Sequence, residues 1–313
     1  MKNALKYVSL AFCFSGLIES CDMAPSKDVD SYTSGTLKLG VDESYSLMAD
    51  SQINTYTSLN KFAQIKANYK PEASVMEDLL NDSIQAAIIS RPLSDQEMAF
   101  FKSINRMPES ILIAYDGIAL VVNPTNPDTV LNIKQIRRIM EGKDSMWSQL
   151  SKTSKLGNLQ VVFDNNLSCN SRTLTEKFGL SAFPSYCFAV HNNEEVIKYV
   201  NTHSNAIGVI SMSWISDQED PICRELSRQI KTIGLIDSLN QEKPEMPRKP
   251  YQAYVFDRSY PLRREVYYIR TGLSGSLGTG FANHLRGDKG QLIIHKMGMV
   301  AAKTPTRIIK VTQ

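Results

Sequence analysis

Ser90 and Arg91 directly follow the apolar run at residues 86–89. They therefore emerge at the C-terminal end of a strand, where open α/β sheets bind their ligands. Serine offers a hydroxyl there, and arginine a planar fork suited to phosphate or carboxylate; the competing use of Arg91 is a surface ion pair. Asp42-Glu43-Ser44 follows another strand-like run and puts acidic and hydroxyl groups where a helix begins. Such a start caps the helix and also turns free backbone N–H groups outward. Cys169 at a helix start would have a lowered pKa and could act as a nucleophile, with His191, His203, His284 or His295 as base. None of those histidines lies in a catalytic motif, no GxxxxGK[ST] run cradles a nucleotide, and no CxxC or histidine spacing marks a metal. The expected chemistry is binding, not catalysis, with no cofactor.

These residues need a layered scaffold, and strand-like and helix-like runs alternate from Thr36 onward, the signature of an α/β fold. Residues 36–41 have apolar residues two apart, which reads as a strand. A helix is expected from Glu72 through Val75, Leu79 and Leu80, leading to the buried strand 86–89 that Pro92 ends. Two apolar runs, 111–114 and 118–122, flank Tyr115-Asp116-Gly117 and suit a strand crossing between lobes. Ile133, Ile136, Ile139 and Met140 share one helical face before Gly142. A strand at 161–163 precedes a helix carrying Leu174 and Phe178. Asn193 is expected to cap the next helix, before the strand at 206–210. Residues 218–250 read as surface decoration, 251–264 as a return crossing, and 280–296 as one closing helix.

The 313 residues are 42% hydrophobic and 21% charged, an ordinary globular composition that excludes disorder, collagen and a disulfide scaffold. The net charge of +3 is too small for a nucleic-acid-binding face. Lys2 and Lys6 precede an apolar run at residues 7–18, too short to span a bilayer, in the pattern of a secretory signal peptide over residues 1–20. The run ends Leu17-Ile18-Glu19-Ser20-Cys21, which resembles a bacterial lipobox, so an acylated Cys21 with a polar tether over 21–35 is expected. Cys169, Cys187 and Cys223 then allow at most one disulfide; Cys169 with Cys187 is a plausible pair and Cys223 an equal contender.

Taken in order, several segments resemble the phosphate-type substrate-binding proteins of ABC transporters. They are Val41-Asp42-Glu43-Ser44, Ser90-Arg91-Pro92-Leu93, residues 116–124, Ile139-Met140-Glu141-Gly142-Lys143 with Trp147, Asn205-Ala206-Ile207-Gly208, and Tyr260-Pro261-Leu262-Arg263-Arg264. The resemblance spans roughly residues 36–310. It implies a two-lobe periplasmic binding-protein-like fold, each lobe a mixed sheet flanked by helices, with the ligand cleft between lobes. Lobe 1 would take residues 36–116 and 251–313, and lobe 2 residues 117–250. The implied function is capture of inorganic phosphate, or a similar oxyanion, for an ABC permease by an envelope-located, lipid-anchored protein. The alternative is a ligand-free scaffold or surface lipoprotein that keeps the fold.

The family's anion loops fall on Asp42, Glu43 and Ser44, on Ser74, on Ser90 and Arg91, and on Ser168, Cys169 and Asn170, with Arg172 on the following turn. An anion at the first loop requires the Asp42 and Glu43 carboxylates to point away. Many relatives have Ser-Gly-Thr where this chain has Ser168-Cys169-Asn170. They also carry an aspartate near the place of Arg91, which accepts the proton of hydrogen phosphate, and an arginine where this chain has Asp164. The charges look exchanged, so Asp164 is expected to be that acceptor.

Overall fold

The computed structural model describes residues 29–237 and 245–303. The expected leader and Cys21 lie outside them. Among the described residues twelve strands form: β1 (Ser34–Asp42), β2 (Phe62–Lys70), β3 (Ala86–Ile89), β4 (Glu109–Val122), β5 (Val130–Asn132), β6 (Gln160–Phe163), β7 (Cys187–Ala189), β8 (Ala206–Ser211), β9 (Lys231–Thr232), β10 (Gly234–Ile236), β11 (Arg263–Arg270) and β12 (Val300–Ala301). The main sheet runs β2-β1-β3-β11-β4-β8-β6-β7, with β9 and β12 also on β4.

The two apolar runs around Asp116 form one continuous strand. β4 pairs with β11 from Glu109 to Gly117 and with β8 from Ile118 to Val122, so a single strand serves both lobes. Its second half is buried on both faces, which is why it reads as unbroken hydrophobic sequence instead of an alternation. The chain returns beside it: the Ile118 N–H donates to the Leu262 carbonyl, and Tyr260 donates its hydroxyl to the Ile118 carbonyl at 2.6 Å.

Each lobe has its own core. Leu39, Val41, Met48, Tyr268 and Phe281 centre the first, with a smaller cluster around Val75, Leu79 and Ile89 on the sheet's other face. Val121, Trp147, Val161, Val196 and Ile207 centre the second. Two glycines let a helix lie close on the sheet. A Cβ on Gly40 would come within 2.6 Å of Ile84 and 2.9 Å of Val75, so its absence lets the helix Glu72–Leu80 lie tight on β1. A Cβ on Gly208 would meet Val196 and Val200 at 2.8 Å, on the helix Asn193–Thr202.

Several expectations are corrected. The region 218–250 holds a buried element, the helix Pro221–Arg228, which is capped by Asp220 and buries Cys223 and Leu226. β10, paired with β5, also lies there; with two turns only, Cys223 and Leu226 three apart are too short an apolar pattern to mark the helix. The closing helix is two, Leu277–Arg286 and Asp288–Lys296, broken where Gly287 takes extended angles (φ −78°, ψ 167°). Asn192, not Asn193, caps its helix. The allowed disulfide does not form, because Cys169, Cys187 and Cys223 are all free thiols. No helix among the described residues is long and apolar enough to cross a membrane.

Candidate functional site

β1 ends in Asp42, a fully buried residue, and the chain turns there into a helical run, a 3-10 turn over Glu43–Tyr45 continued by the helix Ser46–Leu59. Asp42 caps its own run: its Oδ1 accepts from the Ser44 N–H at 2.9 Å. Its other oxygen takes the first N–H of two further helices, Glu72 at 2.8 Å and Cys169 at 3.1 Å. The Cys169 thiol adds a bond to Oδ1 at 3.1 Å. The N-termini of three helices from both lobes thus meet on one carboxylate. Unpaired N–H groups and the positive ends of helix dipoles favour negative charge at such a point. The condition that Asp42 turn away from an anion at this loop is therefore not met: its carboxylate points into the convergence.

The lobe 2 side is built by the helix Cys169–Phe178. Ser168 caps it through the Ser171 N–H at 3.3 Å and donates its hydroxyl to Asp164 at 2.7 Å. Asp164 also accepts from the Ser44 hydroxyl at 3.3 Å across the cleft. Asn170 donates to the Ser44 hydroxyl at 3.2 Å, and a backbone bond from Ala73 to Leu167 at 3.1 Å joins the lobes nearby. Glu43 accepts from both the backbone and the side chain of Asn193, at 3.1 and 2.6 Å.

Glu72 does more than start a helix. Its carboxylate takes the Ser90 N–H at 2.8 Å and hydroxyl at 3.0 Å, and pairs with Arg172. Arg172 also donates to the Ser90 hydroxyl at 2.6 Å. Arg91 instead faces outward in a forked pair with Glu97, both bonds 2.7 Å, and reaches Glu72 only at 3.8 Å. Ser74 donates its N–H to Pro71, and no described side-chain bond ties it to the cluster. A cavity of about 190 Å³ opens at the rim between Glu72, Ala73, Arg91, Asn166, Leu167, Ser168 and Arg172.

Acidic groups outnumber basic ones here, and burial sharpens the imbalance. Burial and the Glu72 charge push the Asp42 carboxyl up, while the Cys169 donors and Arg264 hold it down. The four bonds described at its two oxygens are all donated to it, the surroundings of a carboxylate. Burial raises Glu43 to about 7, against the bonds from Asn193. Burial and then the Asp42 charge raise Asp164 to about 6. Burial also pushes the Cys169 thiol well above its ordinary value, against the pull of Arg264. That is the reverse of what a nucleophile needs, and no histidine is among the thiol's described partners.

The residues that sequence reasoning missed hold the cluster from behind. Arg264 donates to Asp116 at 2.8 and 2.7 Å and to the Cys169 sulfur at 3.0 Å. Ser211 bonds Asp116 at 3.0 Å, and Trp214 donates its indole N–H to the Ser44 carbonyl at 3.1 Å. Asn193 links Glu43 to β8 by accepting the Ser211 N–H at 3.1 Å. Arg263-Arg264 was visible as a dipeptide, and strand alternation sends the two to opposite faces, but only the pairing of β11 with β4 decides which turns inward.

A mixed sheet divided between two lobes by one shared strand, with helix N-termini meeting in the cleft, defines a two-lobe solute-binding architecture. The chain matches the PBP superfamily domain over residues 28–288 and belongs to that superfamily. Among solved structures it is similar to a phosphate ABC transporter substrate-binding protein with bound phosphate from Clostridium perfringens. That match has TM-score 0.71 and 18% identity, and covers 86% of this chain and all of the other. An ABC-type phosphate transport receptor from Vibrio cholerae gives TM-score 0.64 at 18% identity, covering 85% of this chain and 100% of the other. At such identity these structures establish the fold. A curated relative, the phosphate-binding protein PstS 2 of Streptococcus agalactiae, is 30% identical over 97 residues. The aligned segment spans 31% of each chain, about a third of the relative's length.

Proposed function

We propose that this chain is an exported solute-binding protein that holds inorganic phosphate, or a closely similar oxyanion, between its lobes and presents it to an ABC permease. The carrying observation is the meeting of the Ser44, Glu72 and Cys169 N–H groups, from both lobes, on one buried pair of oxygens. Such donors satisfy an oxyanion without needing a cation in contact, and affinity follows from their number. Arg91 and Arg172 at the rim cavity supply attraction toward the entrance. Asp164, beside the Ser44 hydroxyl, is the acceptor proposed for the proton of hydrogen phosphate. The likeness to phosphate-binding proteins supports the same reading. The proposed location is the cell envelope, with attachment through an acylated Cys21.

A second reading is favoured by one observation: the amides are satisfied by the chain's own carboxylate, as in a fold kept for a scaffold role. Isothermal titration with phosphate, sulfate and acetate separates the two. Saturable heat with phosphate supports solute binding, and no heat with any of the three leaves the scaffold. Cys21→Ser is expected to move the protein from the membrane to the soluble fraction. A wild type already soluble after fractionation removes the anchor.

A further inference from the structure

Helix capping explains one of the bonds to Asp42, the Ser44 N–H two residues on. It does not explain Glu72, 30 residues away, or the Cys169 N–H and thiol, 127 residues away in the other lobe. A carboxylate has the negative charge and the paired oxygens of a small oxyanion, and this one bridges lobe 1 to lobe 2 as a bound solute would. We infer that Asp42 is an intramolecular occupant of the oxyanion site, which draws the lobes together itself and which a solute anion must displace. The inference deepens the phosphate reading and rests on it for the identity of the incoming anion.

Charge forbids both anions at once. A solute accepting the same three amides would lie against the Asp42 carboxylate, with Glu72 and Asp164 close by. Glu72 and Asp164 both act on the Asp42 environment electrostatically, and like charges in a buried site repel strongly. The rim cavity between Arg91 and Arg172 gives the incoming anion a charged approach beside the occupied point. Displacement also sets specificity. A monocarboxylate only repeats the bonds Asp42 already makes, whereas a tetrahedral dianion adds charge and further oxygens, so phosphate and sulfate compete and acetate does not.

The test uses the mature protein and its Asp42→Ala and Asp42→Asn variants, with solution scattering and titration of sodium phosphate and sodium acetate. The wild type is expected to have the same radius of gyration with and without saturating phosphate. Asp42→Ala should be larger alone, compact with phosphate, bind phosphate about tenfold or more tightly than wild type, and accept acetate as a substitute carboxylate. Should the alanine variant not fold, Asp42→Asn, which keeps the shape and one acceptor oxygen, is read by the same measurements. If both variants keep the wild-type radius and bind phosphate no more tightly, the inference is overturned, while phosphate binding by all three would leave the functional reading intact. If Asp42→Ala opens and takes acetate but nothing binds phosphate, the intramolecular occupant stands and the phosphate reading fails.

Discussion

Arg264 at the crossing between lobes and Arg91 at the cleft rim are the same side chain in opposite settings. The side chain of Arg264 is 3% exposed, locked to Asp116, which is 0% exposed, and in contact with the Cys169 sulfur. Arg91 is 25% exposed and held by Glu97 on the surface side. Buried charge without its partner costs far more than exposed charge, because water cannot replace the lost contact. The crossing arginine therefore governs stability and geometry, and the rim arginine only the approach of an anion.

The contrast breaks first at the crossing. Asp116→Ala should strand Arg264 and lower unfolding stability by about 3 to 5 kcal/mol in urea titration. A double change, Asp116→Leu with Arg264→Met, should recover most of it. A single variant within about 1 kcal/mol of wild type would show that the pair is not the lock between lobes.

The next effect comes from the carboxylate cluster that these arginines leave partly unneutralised. Glu43 is raised from 4.5 to about 7 and Asp164 from 3.8 to about 6, both chiefly by burial. A raised folded pKa means that the native state holds the proton more tightly than the unfolded chain does. The stabilisation is complete below the ordinary values and is lost as pH rises toward 7. Stability should fall by roughly 3 to 5 kcal/mol between pH 4.5 and 7.5. Glu43→Gln should flatten the melting temperature across that window, and an unchanged slope would remove Glu43 as its source.

Ser168→Ala should be smaller again. It deletes a neutral cap and a bond to Asp164, for a loss of about 1 kcal/mol in the same denaturation assay. Arg91→Ala should change stability by less than about 1 kcal/mol, yet weaken phosphate and sulfate alike in titration, most clearly at low salt. A selective loss of phosphate would instead place Arg91 in contact with the ligand.

Strand and helix identity was largely legible in the chain because it depends on local patterning. The run 86–89 is β3 as read, the expected strand at 36–41 is β1 (Ser34–Asp42), and the helix at Glu72 starts where acidic sequence favours it. The polar turns at 42–44 and 168–170 were equally visible, since turn chemistry is also local.

Partnership is decided by tertiary structure, because a hydrogen bond across 127 residues leaves no periodic trace. Nothing near Asp42 in sequence shows that its second oxygen meets Glu72 and Cys169. Strand alternation leaves open which of Arg263 and Arg264 turns inward until β11 is placed against β4. Arg91 and Arg172 are equally plausible site residues on the page of sequence, but the folded chain gives one to Glu97 and the other to Glu72 and Ser90. Side-chain chemistry supplied the donors and acceptors of this cleft, and packing decided which of them face each other.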